Sequence, residues 1–323
     1  MKKILIAISV LLIIGLGSAY VYLKLVLPVA GEPLKIQVEL TPERIARGEY
    51  LANAVSACMD CHSARDWNLF SGPLKAGTLG QGGEEFTEKF GFPGNYYSKN
   101  ITPHSLQNWT DGEILRAMVS GVNKNGDALF PVMPYPAYSQ MAREDLYSII
   151  AYLRTLKSVD KANIESSTNF PMNFILNTIP KEAILVENAP DKSDMLAYGK
   201  YVFTIASCAD CHTKTDKGKP VEGMELAGGF AFPLPGGGTV YSSNITPDME
   251  TGIGTMNADA FVARFKAYAD TAYVSATVKA GEFNTIMPWT MYGHMEENDL
   301  RAIFAYLQSV RPVSNKVTKF VVN

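Results

Sequence analysis

Apolar positions along the chain fall into two patterns. From Ile4 to Leu23 they run almost unbroken, about the 20 residues a helix needs to cross the hydrocarbon core of a bilayer. Beyond that run they recur at helical spacing. Thr110, followed three residues later by Glu113, forms a capping box ahead of Ile114, Leu115, Met118 and Val119, which share one helical face. A similar helix starts near Asn257 and carries Phe261, Val262 and Phe265, and further helices are predicted from about Arg143 to Leu156 and from about Glu297 to Val310. Thr41 and Pro42 open a helix running toward Cys58, and Ser193-Asp194 open its counterpart toward Cys208. The glycine-rich stretches from Gly72 to Gly94 and from Gly218 to Gly238 hold too many breakers for regular structure.

These elements come in two sets. Cys58-Met59-Asp60-Cys61-His62 recurs as Cys208-Ala209-Asp210-Cys211-His212, Asn100-Ile101-Thr102-Pro103 as Asn244-Ile245-Thr246-Pro247, and Met133-Pro134 as Met287-Pro288. From the Met-Pro pair onward the register holds without a gap, through Tyr138 over Tyr292 to Ala151-Tyr152-Leu153 over Ala305-Tyr306-Leu307. Such agreement marks a duplicated unit. The predicted architecture is all-α, two tandem helical domains with long loops: 1-27 a membrane segment, 40-157 the first domain, 158-192 a linker and 193-312 the second. Phe170, Pro171, Phe174, Ile175, Leu176 and Ile179 make the linker too apolar for a free tether, so it is expected to pack on the domains.

Composition and charge narrow the function. Apolar residues at 47% against 19% charged are enough for sizeable cores, and a net charge of −3 supplies no basic surface for nucleic acid. Lys2 and Lys3 before the apolar run place the rest of the chain on the outer, periplasmic side of an inner membrane, as a single-pass protein. The rival reading is a cleaved signal peptide ending near Gly17-Ser18-Ala19, but apolar residues continue through Leu23.

Export makes disulfides, zinc or haem the uses open to the four cysteines. C-x-x-C-H is the attachment signature of c-type haem: two thiols form thioethers to the vinyl groups, and the adjoining histidine turns its imidazole to the iron. Two copies account for every cysteine and predict two covalently attached haem c groups, at Cys58, Cys61 and His62 and at Cys208, Cys211 and His212. One zinc site would gather both pairs and leave the histidines and Met-Pro motifs unexplained, and a thioredoxin-like pair needs a βαβ setting that is missing. For the sixth ligand, Met133 and Met287 repeat just before proline, whereas the repeated Met141 and Met295 sit beside the final helix, where packing is expected. His104 and His294 have no repeat partner, since Asp248 and Gln140 stand opposite them. Imidazole and thioether together close both faces of an iron, which favours electron carriage over catalysis.

With these motifs the chain resembles the diheme c-type cytochromes, in particular the membrane-bound cytochrome c subunits of alcohol, aldehyde and gluconate dehydrogenases. The resemblance runs from about Thr41 to Val310 and rests on C-x-x-C-H, Asn-Ile-Thr-Pro, Met-Pro and the closing Ala-Tyr-Leu helix, each present twice. It implies two cytochrome c-like domains, and an Asn-Ile-Thr-Pro loop lying against the porphyrin, with Asn100 and Asn244 beside the haems. Gly48 with Tyr50, and Gly199 with Tyr201, fit the crossing of the first and last helices of such a domain. Two departures stand out: the dehydrogenase subunits often carry three haems, and their usual Gly-Ile-Gly-x-Trp stretch survives only in halves, as Trp109 and as Gly252-Ile253-Gly254. The implied function is electron transfer, from a dehydrogenase or the quinone pool to a soluble cytochrome or oxidase, with no catalytic residue. The alternatives are a haem-bearing subunit of a dehydrogenase complex and a diheme peroxidase. Lys214, Lys217 and Lys219 are a candidate docking run for an acidic partner.

Overall fold

Caps written into the sequence set where the helices begin. In the computed structural model, which describes residues 1–216 and 218–322, Thr41 accepts from the Arg44 N–H at 3.3 Å and Pro42 fills the first turn of the helix Pro42–Tyr50. Thr110 and Glu113 close a reciprocal capping box on Asp111–Ser120. Asp194 caps Met195–Ile205 and Asn257 caps Ala258–Lys266. The last helices of the two halves are Arg143–Thr155 and Glu297–Ser309. The chain is mostly helical, and it opens on the apolar helix Lys2–Val21, which continues as a π-helical stretch, Tyr22–Val26, and buries none of its residues. With a mean hydropathy of 2.6 over its most apolar window, Lys2–Val26 is long and apolar enough to cross a membrane.

In each half the first helix packs on the last, Pro42–Tyr50 on Arg143–Thr155 and Met195–Ile205 on Glu297–Ser309. Glycine makes that approach possible. A Cβ on Gly48 would lie 1.9 Å from the Ser148 carbonyl oxygen, and one on Gly199 would lie 2.0 Å from that of Ala302. Gly48→Ala and Gly199→Ala are each expected to cost about 3 kcal/mol or more, because backbone rather than a flexible side chain must move; chemical denaturation checks this. Leu51, Val55, Met59, Leu146, Ile149 and Ile150 fill the core of the first half, and Val202, Ile205 and Leu300 that of the second. Met141 and Met295 are fully buried among them, as packing residues.

Three features depart from the sequence reading. The segment leading to Cys58 is not one helix: Pro42–Tyr50 passes into a π-helical stretch, Leu51–Val55, before Ala57 turns left-handed ahead of the cysteines. The glycine-rich stretches do carry short strands, because partners arrive from far along the chain. Gly94–Tyr97 pairs with Glu85–Phe86 and with Ser167–Thr168, while Thr239–Tyr241 pairs with Ala231–Pro233 and with Phe320–Val321. The all-α expectation is amended to that extent.

The third departure concerns Tyr50 and Tyr201, which leave their own helix crossings and reach the other half. Tyr50 donates to Asp299 Oδ2 at 2.7 Å and accepts from the Glu296 N–H at 2.9 Å. Tyr201 donates to Asp145 Oδ2 at 2.6 Å and accepts from the Ala142 N–H at 3.1 Å. The two halves therefore grip one another reciprocally, each at the start of the other's last helix. Within its own half Asp145 also takes two bonds from Arg47, at 2.8 and 3.0 Å, while Asp299 takes one from the Tyr198 hydroxyl at 2.9 Å. Burial, the largest cause, and the facing carboxylates raise the pKa of both Tyr50 and Tyr201 above the ordinary phenol value, so the hydroxyls stay donors.

The segment between the halves lies against the first half and the N-terminal helix. Ser167–Thr168 adds its strand, Leu176 is buried, and the Arg143 N–H donates to the Val186 carbonyl at 2.8 Å. Lys24 Nζ donates to the Asn173 carbonyl at 2.9 Å, Asn177 Nδ2 to the Leu23 carbonyl at 2.8 Å, and Phe174 meets Tyr20 edge-on.

Candidate haem sites

Cys58 and Cys61 sit on a single helical turn, Cys58–Cys61, and His62 closes it, its N–H donating to the Cys58 carbonyl at 2.9 Å. The second half repeats this on Cys208–His212. Residues three apart on a helix share a face, so each thiol pair projects to one side. All four thiols are free and half-buried, and burial pushes those of Cys58, Cys208 and Cys211 up to about 12 and that of Cys61 higher still. Among the described residues no three ligating His, Cys, Asp or Glu side chains converge.

Each histidine is oriented from behind. His62 Nδ1 lies 2.7 Å from the Lys99 carbonyl oxygen, and His212 Nδ1 lies 2.7 Å from that of Ser243. A hydrogen bond from Nδ1 to a carbonyl fixes the tautomer and leaves Nε2 with its lone pair, the form a metal takes. Burial lowers the pKa of both rings, against the carbonyls' opposing pull, and keeps them neutral.

The carbonyls that orient the histidines immediately precede Asn100 and Asn244, and those two side chains hold the loop. Asn100 Oδ1 accepts from the Thr102 N–H and hydroxyl at 2.9 and 2.7 Å, and its Nδ2 donates to the Val159 and Lys161 carbonyls. Asn244 Oδ1 accepts the same pair from Thr246 at 2.9 and 2.8 Å, and its Nδ2 donates to the Val313 carbonyl and the Thr251 hydroxyl. Both asparagines are buried with every amide hydrogen-bonding position occupied inside the protein. Their place in the site is to lock the strand of backbone that aims the imidazole.

Met133 and Met287 are half-buried in matching turns. The carbonyl of each accepts the N–H two residues on, Tyr135 and Trp289, at 2.8 Å, and the prolines between have φ, ψ of −79°, 54° and −80°, 63°. The short helix after each turn is tied to the residues before the cysteines: Tyr138 donates to the Ser56 carbonyl at 3.0 Å and Tyr292 to that of Ala206 at 2.7 Å. Sequence comparison of the halves matched Tyr138 with Tyr292 but gave no partner for either. His104 pairs instead with Asp160 at 3.3 Å, and His294 is exposed. Lys214 and Lys219 are exposed, and Lys217 lies outside the described residues.

Each half thus offers two thiols on one face of a turn, an imidazole whose Nε2 has no hydrogen bond among the described residues, and a thioether in a loop tied to the residues before that turn. The donor set fits a c-type haem. The buried Tyr135 hydroxyl, two residues on from Met133, has no partner among the described residues.

Comparison with known proteins agrees with this geometry. The sequence model of the cytochrome c family matches residues 196–311. The chain is 31% identical over 304 residues to the fructose dehydrogenase cytochrome subunit of Gluconobacter japonicus, covering 88% of this chain and 57% of that protein. It is 28% identical over 283 residues to the gluconate 2-dehydrogenase cytochrome c subunit of Pantoea cypripedii, covering 82% of this chain and 59% of that protein. It therefore spans somewhat more than half the length of those subunits. A diheme cytochrome c-type protein of Cereibacter sphaeroides is 29% identical over 298 residues, with 88% of this chain and 90% of that protein covered. Over most of its length the chain is accordingly similar to the cytochrome c subunits of gluconate and fructose dehydrogenases and to a diheme cytochrome c, and its second half matches the cytochrome c family.

Proposed function

We propose that the chain is a membrane-anchored diheme cytochrome c, two tandem cytochrome c domains that pass electrons from a dehydrogenase or the quinone pool to a soluble cytochrome or terminal oxidase. The observation that carries this is the duplicated set of bonds: in both halves a backbone carbonyl orients the histidine, an asparagine locks that carbonyl's loop, and a tyrosine ties the Met-Pro loop to the cysteine turn.

When bound, each haem supplies an iron that cycles between Fe(II) and Fe(III). Cys58 and Cys61 would attach one and Cys208 and Cys211 the other. His62 with Met133, and His212 with Met287, would hold the irons, and the soft thioether would favour Fe(II) and so raise the potential. With an imidazole and a thioether both committed to each iron, the chain's residues would do no bond chemistry on a substrate. Their work is to orient ligands, exclude water and keep the two groups at constant separation, which the reciprocal Tyr50–Asp299 and Tyr201–Asp145 bonds serve. The Lys2–Val26 helix would hold the assembly at the inner membrane, haems on the periplasmic side, and the linker contacts at Leu23 and Lys24 would fix its attitude.

The names of the relatives favour a dehydrogenase as electron donor. Purification from membranes in mild detergent tests this: a co-eluting dehydrogenase whose substrate reduces both haems is expected, and peroxide turnover by a protein that takes no electrons from any dehydrogenase or quinol contradicts it.

A further inference from the structure

The two Met-Pro loops match in sequence and in backbone, yet their surroundings differ. A loop of the first half, residues 66–72, reaches across the molecule and docks on the loop that carries Met287. Phe70 N–H donates to the Ala276 carbonyl and Val278 N–H to that of Asn68, both at 2.8 Å. Asn284 accepts from the Ser71 N–H at 2.9 Å and donates through Nδ2 to the Leu69 and Trp67 carbonyls. At the centre, Ser71 Oγ donates to the Met287 carbonyl at 2.6 Å and accepts from the Trp289 N–H at 3.2 Å. Ser71 is fully buried, in a left-handed conformation (φ 64°) that a side chain seldom adopts, and Asn284 is buried with it. Among the described residues, no bond from the second half reaches the Met133 carbonyl in the same way.

The docking loop is itself tied to the first cysteine turn. Arg65 donates to Asp60 Oδ2 at 2.8 Å, to the Ser71 carbonyl at 2.7 Å and to the Gly72 carbonyl at 2.8 Å, while its guanidinium lies over the Trp67 ring. Asp60 and Arg65 are both buried, and Asp60 stands between the two cysteines of the first motif. One short chain of bonds therefore runs from Asp60 through Arg65 and Ser71 to the backbone of Met287. Among the described residues the second repeat builds no such arm: Asp210 is exposed, and Thr215 stands where Arg65 stands in the first.

We infer that Ser71 is a positioning residue for Met287, so that the sixth ligand of the second haem is held by the first half of the molecule. The inference rests on the reading of Met287 as an iron ligand. It makes the two sites unequal: the methionine of the second is braced from across the interface, and that of the first by its own half alone. A movement of the Met287 loop away from the iron must break the Ser71 bond as well as the iron–sulfur bond, so the brace resists competing ligands at one haem only.

The test is a titration of the oxidised, haem-loaded full-length protein with imidazole, which competes with methionine for Fe(III). Met133→Ala and Met287→Ala identify which optical phase belongs to which haem. Losing one buried hydrogen bond weakens the brace about tenfold, so Ser71→Ala is expected to raise imidazole affinity about tenfold in the Met287 phase and leave the Met133 phase unchanged. Asn284→Ala, which frees the same loop from its other side, is expected to act in the same direction and stands in if Ser71→Ala fails to load haem. No change in either phase, or equal change in both, overturns the inference. A Met287→Ala protein whose spectrum and titration match the parent would instead sink the ligand assignment, a separate failure.

Discussion

A chain with Cys208→Ser and Cys211→Ser is expected to carry one covalent haem where the parent carries two, and to lose the fold of its second half. The thiols and the His212 imidazole share one helical turn, the Met287 thioether comes from a loop remote in sequence, and all of them are only half-buried. A porphyrin attached to these groups would bury its own apolar faces against the second half, and losing that burial costs several kcal/mol. Against an ordinary domain stability of about 5–15 kcal/mol, the second half becomes marginal. The first half suffers through the interface, because Tyr50 loses Asp299 and the loop of Ser71 loses its seat. Haem content by the pyridine haemochrome assay should fall by half, and limited proteolysis should cut within residues 193–312 first. The mirror pair, Cys58→Ser with Cys61→Ser, is expected to do more damage, since it loosens the turn that carries Asp60, the anchor of the arm that braces Met287.

Asp145→Ala is expected to be the most destabilising single substitution at the interface, at about 3 kcal/mol or more. Asp145 takes the Arg47 guanidinium through two bonds and the Tyr201 hydroxyl from the other half, so its removal leaves a partly buried cation without its carboxylate and the Tyr201 hydroxyl without an acceptor. Arg47 retains some solvent, its side chain 28% exposed, which keeps the cost below that of a fully buried charge. Asp299→Ala strands two tyrosine hydroxyls, of Tyr50 and Tyr198, and no charge, so about 2 kcal/mol is expected. Equilibrium denaturation of both variants checks the order. The difference traces to one substitution between repeats, since Arg47 of the first helix corresponds to Tyr198 of the second.

What could be read in the sequence is what local chemistry determines. The helix starts follow from Thr41, Thr110, Asp194 and Asn257, each of which satisfies backbone N–H groups within three residues, and the helix ends agree to within a residue at Arg143–Thr155 and Glu297–Ser309. The cysteine turns and their histidines are likewise local. The features that escaped depend on partners remote in sequence. The strand at Gly94–Tyr97 needs Ser167–Thr168, and that at Thr239–Tyr241 needs Phe320–Val321. Tyr50 looked like part of its own helix crossing because nothing nearby tells a tyrosine which half its hydroxyl will meet. Asn100 and Asn244 were expected beside the haem by resemblance. Their geometry assigns them the loop that aims the histidine, and the only signal for it was the threonine two residues on, which returns two bonds to the same oxygen. Ser71 carried no signal at all, since its role exists only once the two halves are docked.

The direct measurement is near-infrared magnetic circular dichroism of the oxidised, purified protein, taken together with its haem content. Two covalent haems per chain are expected, both low-spin and both showing a methionine-to-iron charge-transfer band, with Met133→Ala and Met287→Ala each abolishing one band and sparing the other. A chain with a single haem, a high-spin haem that turns over peroxide, or bands indifferent to both methionines would contradict the account.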